Sequence, residues 1–179
     1  MASGSGGLPL LSCPVLATLA PGVLHLNFAG DSLLHAPQDQ VWEALLDPAA
    51  LAGCLPGCQR FEEIAPDAYE AAVTLGIAVV KGTYIGHVQI SDREAPNRYT
   101  LTLEGAGTTG TVKGSATIAL SPAAEGTSVH WSADVQVGGP IASVGQRLLP
   151  GVTKLVAGEF FKCMDARLAQ VGASARKEG

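Results

Sequence analysis

The sequence predicts an α+β fold in which a curved antiparallel sheet of about seven strands wraps over one long C-terminal helix, with two short helices after the first strand. Three observations carry this expectation. Six successive segments between residues 58 and 137 alternate apolar and polar side chains, the period of strands covered on one face only. A helical apolar stripe then runs from Pro140 to about Val171, long enough to cover such a face. Turn chemistry separates the segments at Ala65-Pro66-Asp67, Asp92–Asn97, Gly105–Gly110 and Ser121–Gly126.

Taken in order, His25–Ala36 alternates loosely and reads as the first strand. Pro37 opens a helix on which Val41, Trp42, Leu45 and Leu46 recur at helical spacing, with Asp39 in its first turn. Asp47 suits an N-cap and Pro48 a first helical position, so 48–54 is a second short helix, ended by Pro56-Gly57. The six strands are Cys58–Ile64, Tyr69–Val79, Thr83–Ser91, Arg98–Gly105, Thr111–Leu120 and Thr127–Val137. The last helix carries Ile141, Val144, Leu148, Val152, Leu155, Val156, Phe160, Phe161, Met164 and Leu168, and Pro150 within it predicts a kink or break. Residues 23–172 are expected to form one domain, with a flexible extension over 1–22 and a disordered tail over 173–179.

Composition narrows the function classes. With 47% hydrophobic and 15% charged residues the chain is not a disordered one. A net charge of −5 argues against nucleic acid as a partner. The charge is uneven: residues 1–140 hold five basic and thirteen acidic side chains, whereas 141–179 hold six basic and three acidic. Arg147, Lys154, Lys162 and Arg167 are therefore candidates for docking an acidic partner or an anionic membrane. No apolar run approaches the roughly twenty residues a bilayer span needs, and residues 1–30 lack the positive charge that opens a secretory signal. A cytoplasmic location is expected, with peripheral contact at the inner face of the membrane. Cys13, Cys54, Cys58 and Cys163 do not form a disulfide framework by spacing and are expected as thiols.

Small residues point to a pocket. Aromatics make up 5% of the chain, and Ala71, Gly86, Gly114, Ala116 and Ala133 fall on the inward parity of their strands. A helix over such a surface leaves space that these side chains do not fill. The expected lining is Leu75, Tyr84, Val88, Tyr99, Leu101, Leu103, Ala116, Ile118, Trp131 and Ala133 from the sheet, with Val144, Leu148, Leu155 and Phe161 from the helix. The expected ligand is a hydrophobic small molecule, because the inward positions are almost wholly apolar.

Catalytic motifs fail on context. Gly30-Asp31-Ser32-Leu33 spells a serine hydrolase signature, but Ser32 sits within an alternating strand and no late histidine follows His130 to serve as base. Gly105-x-Gly107-x-x-Gly110 matches a dinucleotide pattern but leads into a strand, not a helix. His25, His35, His87 and His130 have neither the pair spacing nor the neighbouring cysteines of a metal site. No catalytic residue and no metal ligand is assigned.

Residues now placed carry a family resemblance. They are Gly30, Ala36-Pro37 with Val41-Trp42, Leu46-Asp47-Pro48, Cys54-Leu55-Pro56-Gly57 and Lys81-Gly82-Thr83-Tyr84-x-Gly86. Further on come Gly126-Thr127, Gly138-Gly139-x-Ile141-Ala142-x-x-Gly145-x-Arg147 and Phe160-Phe161. Over about 26–170 the chain resembles the carbon monoxide dehydrogenase G-subunit family, of the helix-grip (START-like) superfamily that includes lipid-transfer domains and plant pathogenesis-related proteins. The resemblance implies a non-catalytic accessory protein for a molybdenum hydroxylase, linked to membrane recruitment or electron delivery. It also implies a bound quinone-like or lipid-like molecule and no covalent cofactor. The alternative within the same fold is a polyketide cyclase or aromatase, which would need acid and base groups inside the pocket.

Overall fold

In a computed structural model of the chain, residues 22–76 and 81–177 are described. Strand β1 (Val23–Leu34) leads into helices α1 (Gln38–Leu46) and α2 (Pro48–Cys54). Strands β2 (Cys58–Ala65), β3 (Ala68–Leu75), β4 (Gly82–Glu94), β5 (Arg98–Gly107), β6 (Gly110–Ala123) and β7 (Gly126–Gly138) follow, and α3 (Ala142–Lys177) ends the order. Residues 77–79 of the second predicted strand after the helices, 1–21 of the expected extension and 178–179 of the expected tail lie outside the described residues. α3 runs to Lys177 and so takes up 173–177, which the sequence alone assigns to the tail.

The seven strands form one antiparallel sheet in the order β1-β7-β6-β5-β4-β3-β2. The β5–β6 turn confirms that the glycine-rich motif is a hairpin, with Gly107 opposite Gly110. Asp47 caps α2 as its side chain predicts, accepting the backbone N–H of Ala49 at 3.1 Å and of Ala50 at 3.3 Å. After α2 the chain turns at Gly57, whose φ of +75° and close approach to the Thr74 carbonyl exclude a side chain. Pro150 does not break α3. It lies on the exposed side, where the carbonyl of exposed Gln146, deprived of its N–H partner, can turn to water.

Three clusters fill the space between sheet and helices. One joins Leu34, Leu120 and Val129 to Val41 and Leu45 of α1 and to Phe161, Met164 and Leu168 of α3. A second joins Val137, Ile141 and Leu149 at the start of α3, with Leu24, Leu26 and Phe28 of β1 against it. Here Gly145 permits the approach: a Cβ at that position would stand 2.7 Å from Cδ2 of Leu24. The third is Tyr69, Ile90 and Tyr99, covered by Trp42, Leu46 and Phe61. At the far end of α3, Asp165 accepts both the backbone N–H of His35 at 2.7 Å and a hydrogen bond with its ring Nδ1 at 3.0 Å, which ties the end of β1 to the helix.

One expectation about the cysteines is corrected. Cys54 of α2 and Cys163 of α3 form a disulfide, with Cα atoms 5.4 Å apart, and Cys58 is a free thiol. The two partners are 109 residues apart in sequence, so spacing gave no sign of them.

Candidate functional site

The alternation of each strand puts one set of side chains toward α3. Along β7 these are Val129, Trp131, Ala133, Val135 and Val137, and along β6 Leu120, Ile118, Ala116, Gly114 and Val112. The first cluster takes one end of this surface and the second cluster the other. Between them, displaced toward the first, lies a cavity of about 440 Å³. Its sheet wall is Phe61, Tyr69, Val88, Ile90, Tyr99, Leu101, Ile118 and Trp131. Leu45 of α1, Leu51 of α2 and Leu55 just beyond it close one side, and Val152, Thr153, Val156, Ala157, Phe160 and Phe161 of α3 form the roof.

Large rings border the space. Phe61 stacks on Tyr69 with centroids 5.3 Å apart, Trp42 and Tyr99 meet in a T-shaped pair at 5.5 Å, and Phe160 meets Phe161 at 5.2 Å. One pair lies within the sheet, one within α3 and one between α1 and β5. The indole of Trp131 packs against Gly30 of the neighbouring strand, where a Cβ would stand 2.7 Å from its Cζ2 atom.

The cavity wall is almost without charge. Of its lining residues only Tyr69 and Tyr99 titrate. Burial pushes the Tyr99 hydroxyl well above its ordinary value of 10.0. Burial, helped by the Glu63 carboxylate, also raises Tyr69. Both therefore remain neutral hydroxyls at any physiological pH. The described residues hold no cluster of three or more metal-ligating side chains. Ser32 lies half-buried on the inner side of β1, while His130 faces outward, 2.7 Å from Asp31.

Six of the residues expected from sequence line the cavity: Val88, Tyr99, Leu101, Ile118, Trp131 and Phe161. Leu103, Ala116 and Ala133 sit one inward step further along their strands, between the cavity and the second cluster. Leu75 packs against that cluster. The Tyr84 hydroxyl bonds Thr109 at the opposite end, and its ring lies against Gly107. The small inward residues thus let the structure close, and the space opens where the rings are large. Val144, Leu148 and Leu155 are corrected outright: they are 39%, 42% and 52% exposed. α3 has apolar residues on two sides, and the side facing the sheet is that of Gly145, Leu149, Val152 and Val156. Gly145 marks that side, because a helix can approach a strand closely only where a side chain is missing.

The turn of the helix changes its outer face too. At 3.6 residues per turn Arg147, Lys154 and Lys162 share about a third of the circumference with Val144, Leu148 and Leu155. All six are exposed. Arg167 departs from this strip, its guanidinium lying against Gly53 of α2.

Comparison with known proteins agrees with this geometry. The family described as the carbon monoxide dehydrogenase G-subunit (CoxG) matches residues 30–169. No curated protein sequence matches. A conserved protein from Geobacillus kaustophilus is similar at 36% identity and a TM-score of 0.76, over 82% of this chain and 96% of that one. A START superfamily protein from Mycobacterium smegmatis shares the fold at 13% identity and a TM-score of 0.63, over 82% of this chain and 98% of that one. Ara h 8.0201 does so at 15% identity and a TM-score of 0.59, over 82% of this chain and 99% of that one. The sheet, the paired short helices and the long last helix are those of the helix-grip, START-like fold.

Proposed function

This chain belongs to the carbon monoxide dehydrogenase G-subunit family, and from that premise we propose that it carries a quinone-like or lipid-like molecule in the cavity under α3, as an accessory to a molybdenum hydroxylase of the carbon monoxide dehydrogenase type. The observation that carries this reading is the cavity wall: about 440 Å³ bounded by aliphatic and aromatic side chains, with neutral tyrosine hydroxyls as its titratable groups. Such a wall draws its affinity from apolar contact, roughly 25 cal/mol per Å² before association costs are subtracted. A polar nucleotide would lose its hydration there and gain nothing in return. A cyclase needs an acid and a base at the reacting carbons, and the lining residues include no His, Asp, Glu or Lys. That composition favours carriage over catalysis.

The outer face of α3 supports a second element of the same reading, docking on an anionic membrane or on an acidic surface of the partner enzyme. Arg147, Lys154 and Lys162 form no ion pair among the described residues. Exposed Val144, Leu148 and Leu155 lie among them, on the same helix whose inner side roofs the cavity. No helix of the described residues is long and apolar enough to cross a membrane, so contact would be peripheral.

The test is titration with an isoprenoid quinone, followed through tryptophan fluorescence, with Trp131→Phe to isolate the signal of the wall. Mass spectrometry of what organic solvent extracts from the purified protein runs beside it. Saturable quenching that Trp131→Phe diminishes is the expected result. A flat titration together with an extract free of apolar molecules would remove the carrier reading.

A further inference from the structure

The Cys54–Cys163 disulfide joins the two elements that close the cavity, and it is the one covalent tie on α2 among the described residues. α2 reads Pro-Ala-Ala-Leu-Ala-Gly-Cys, so its grip on α3 rests on methyl groups, Leu51 and the sulfur bridge. Leu51 and Leu55 face the cavity from this side, and on α3 the lining residues Phe160 and Phe161 lie just before Cys163. Gly53 gives α3 room to come close, with the Arg167 guanidinium against it. Past α2 the chain is pinned to β3 by the Thr74 N–H, which donates to the Gly57 carbonyl at 2.8 Å. The first residue of α2 is held as well, by Asp47, which caps both α1 and α2, so a freed α2 would roll between two fixed ends, and that motion would carry Leu51 away from the roof.

We infer that Cys54–Cys163 is a redox modification site, a latch whose reduction by a dithiol releases α2 and opens the cavity; the consequence for a guest rests on the carrier reading above. The chemistry closes without a further reactant. Cys54 is 4% exposed and Cys163 is half-buried, so the attacking thiolate reaches the Cys163 sulfur. The S–S bond breaks, a mixed disulfide forms on Cys163, and Cys54 leaves as a thiolate that takes a proton from water. The second thiol of the reductant then attacks the mixed disulfide, freeing Cys163. The reductant ends as its own disulfide, and the protein has gained two electrons and two protons. In a reducing compartment the open form prevails, and in an oxidising one the latched form does.

The experiment uses the full chain with Cys13→Ser and Cys58→Ser, so that denatured thiol titration reads zero free thiols when latched and two after dithiothreitol. N-phenyl-1-naphthylamine, a neutral fluorophore, serves as the guest. Its entry and exit are timed by stopped flow in both redox states and in a Cys163→Ser variant. Hydrogen exchange of the Leu51–Leu55 amides is measured in the same samples. Reduction and Cys163→Ser should each speed probe exit and amide exchange at least tenfold, with the exchange of β5 and β6 amides unchanged. Two thiols before reduction, or probe and amide rates equal in both states, would overturn the latch. If the probe binds neither form, the carrier reading fails and the amides decide alone: faster exchange on reduction keeps the latch, and equal exchange removes it.

Discussion

Gly30→Ala is a small change with a readable consequence. Gly30 on β1 faces Trp131 on β7, and an added Cβ would stand 2.7 Å from Cζ2, 2.8 Å from Cε2 and 3.0 Å from Nε1 of the indole. Carbon atoms rest at about 3.5–4.0 Å, so the ring must lift by about 1 Å. The sheet beneath it cannot yield, and the free direction is into the cavity that Trp131 lines. Overpacking of this kind costs about 1–3 kcal/mol. For a domain of this size that lowers Tm by about 2–12 °C. A lifted ring also takes on the order of 50 Å² of apolar contact from a guest, about 1.3 kcal/mol or roughly tenfold in Kd. Thermal unfolding and quinone titration measure the two effects. The atoms in conflict belong to the indole ring, so Trp131→Ala, which removes the ring, should relieve the clash. In the double-mutant cycle Gly30→Ala should then cost less than half of its effect in the parent. Additive costs, or an unchanged Kd in the Gly30→Ala protein, would refute the placement of Trp131 on the wall.

Two further outcomes are expected. Binding of the protein to vesicles containing anionic lipid, measured by co-sedimentation, should weaken between low and physiological salt, where the Debye length falls to about 8 Å. Gln at Arg147, Lys154 and Lys162 together should weaken it likewise while leaving Tm within a degree or two, whereas Arg167→Gln should have little effect. Because burial raises the Tyr99 pKa above 10.0, the unfolded chain releases that proton first on the alkaline side. Stability should therefore be full below pH 10 and fall as pH rises beyond it. Urea unfolding across that range should show a shallower fall in Tyr99→Phe, and an identical slope would mean that Tyr99 is not buried as described.

The parts of this fold that were legible share a cause. β4, β5, β6 and β7 alternate cleanly because one face meets α3 and the other meets water, and Asp47-Pro48 fixes a helix start through its own local bonding. Strand parity also put Val88, Leu101, Ile118 and Trp131 on the right side of the sheet. What parity lacks is position along the strand. Ala116 and Ala133 are as inward as Ile118 and Trp131, and which of them borders empty space depends on the rings brought in from Phe61, Phe160 and Phe161. The phase of α3 failed for a related reason. Val144, Leu148 and Leu155 make as regular a stripe as Leu149, Val152 and Val156, and the decision between them lay in Gly145 against Leu24, a contact 121 residues apart in the chain. Strand parity carries no information on Leu45, Leu51 and Leu55, which reach the cavity from α1, α2 and the residue after it.

The strand order also sets a timetable for synthesis. β1 pairs with β7 along its whole length, from Val23 opposite Gly138 to Leu34 opposite Thr127. A ribosome adding about 5–20 residues per second takes roughly 5–20 s to cover the ~100 residues between them. Through that interval β2 to β6 can build a meander hairpin by hairpin, while β1 waits with Leu24, Leu26 and Phe28 bare and an edge unpaired. The first strand made is thus the last to be seated, and the nascent chain depends for those seconds on whatever shields a lone apolar strand from pairing with a stranger.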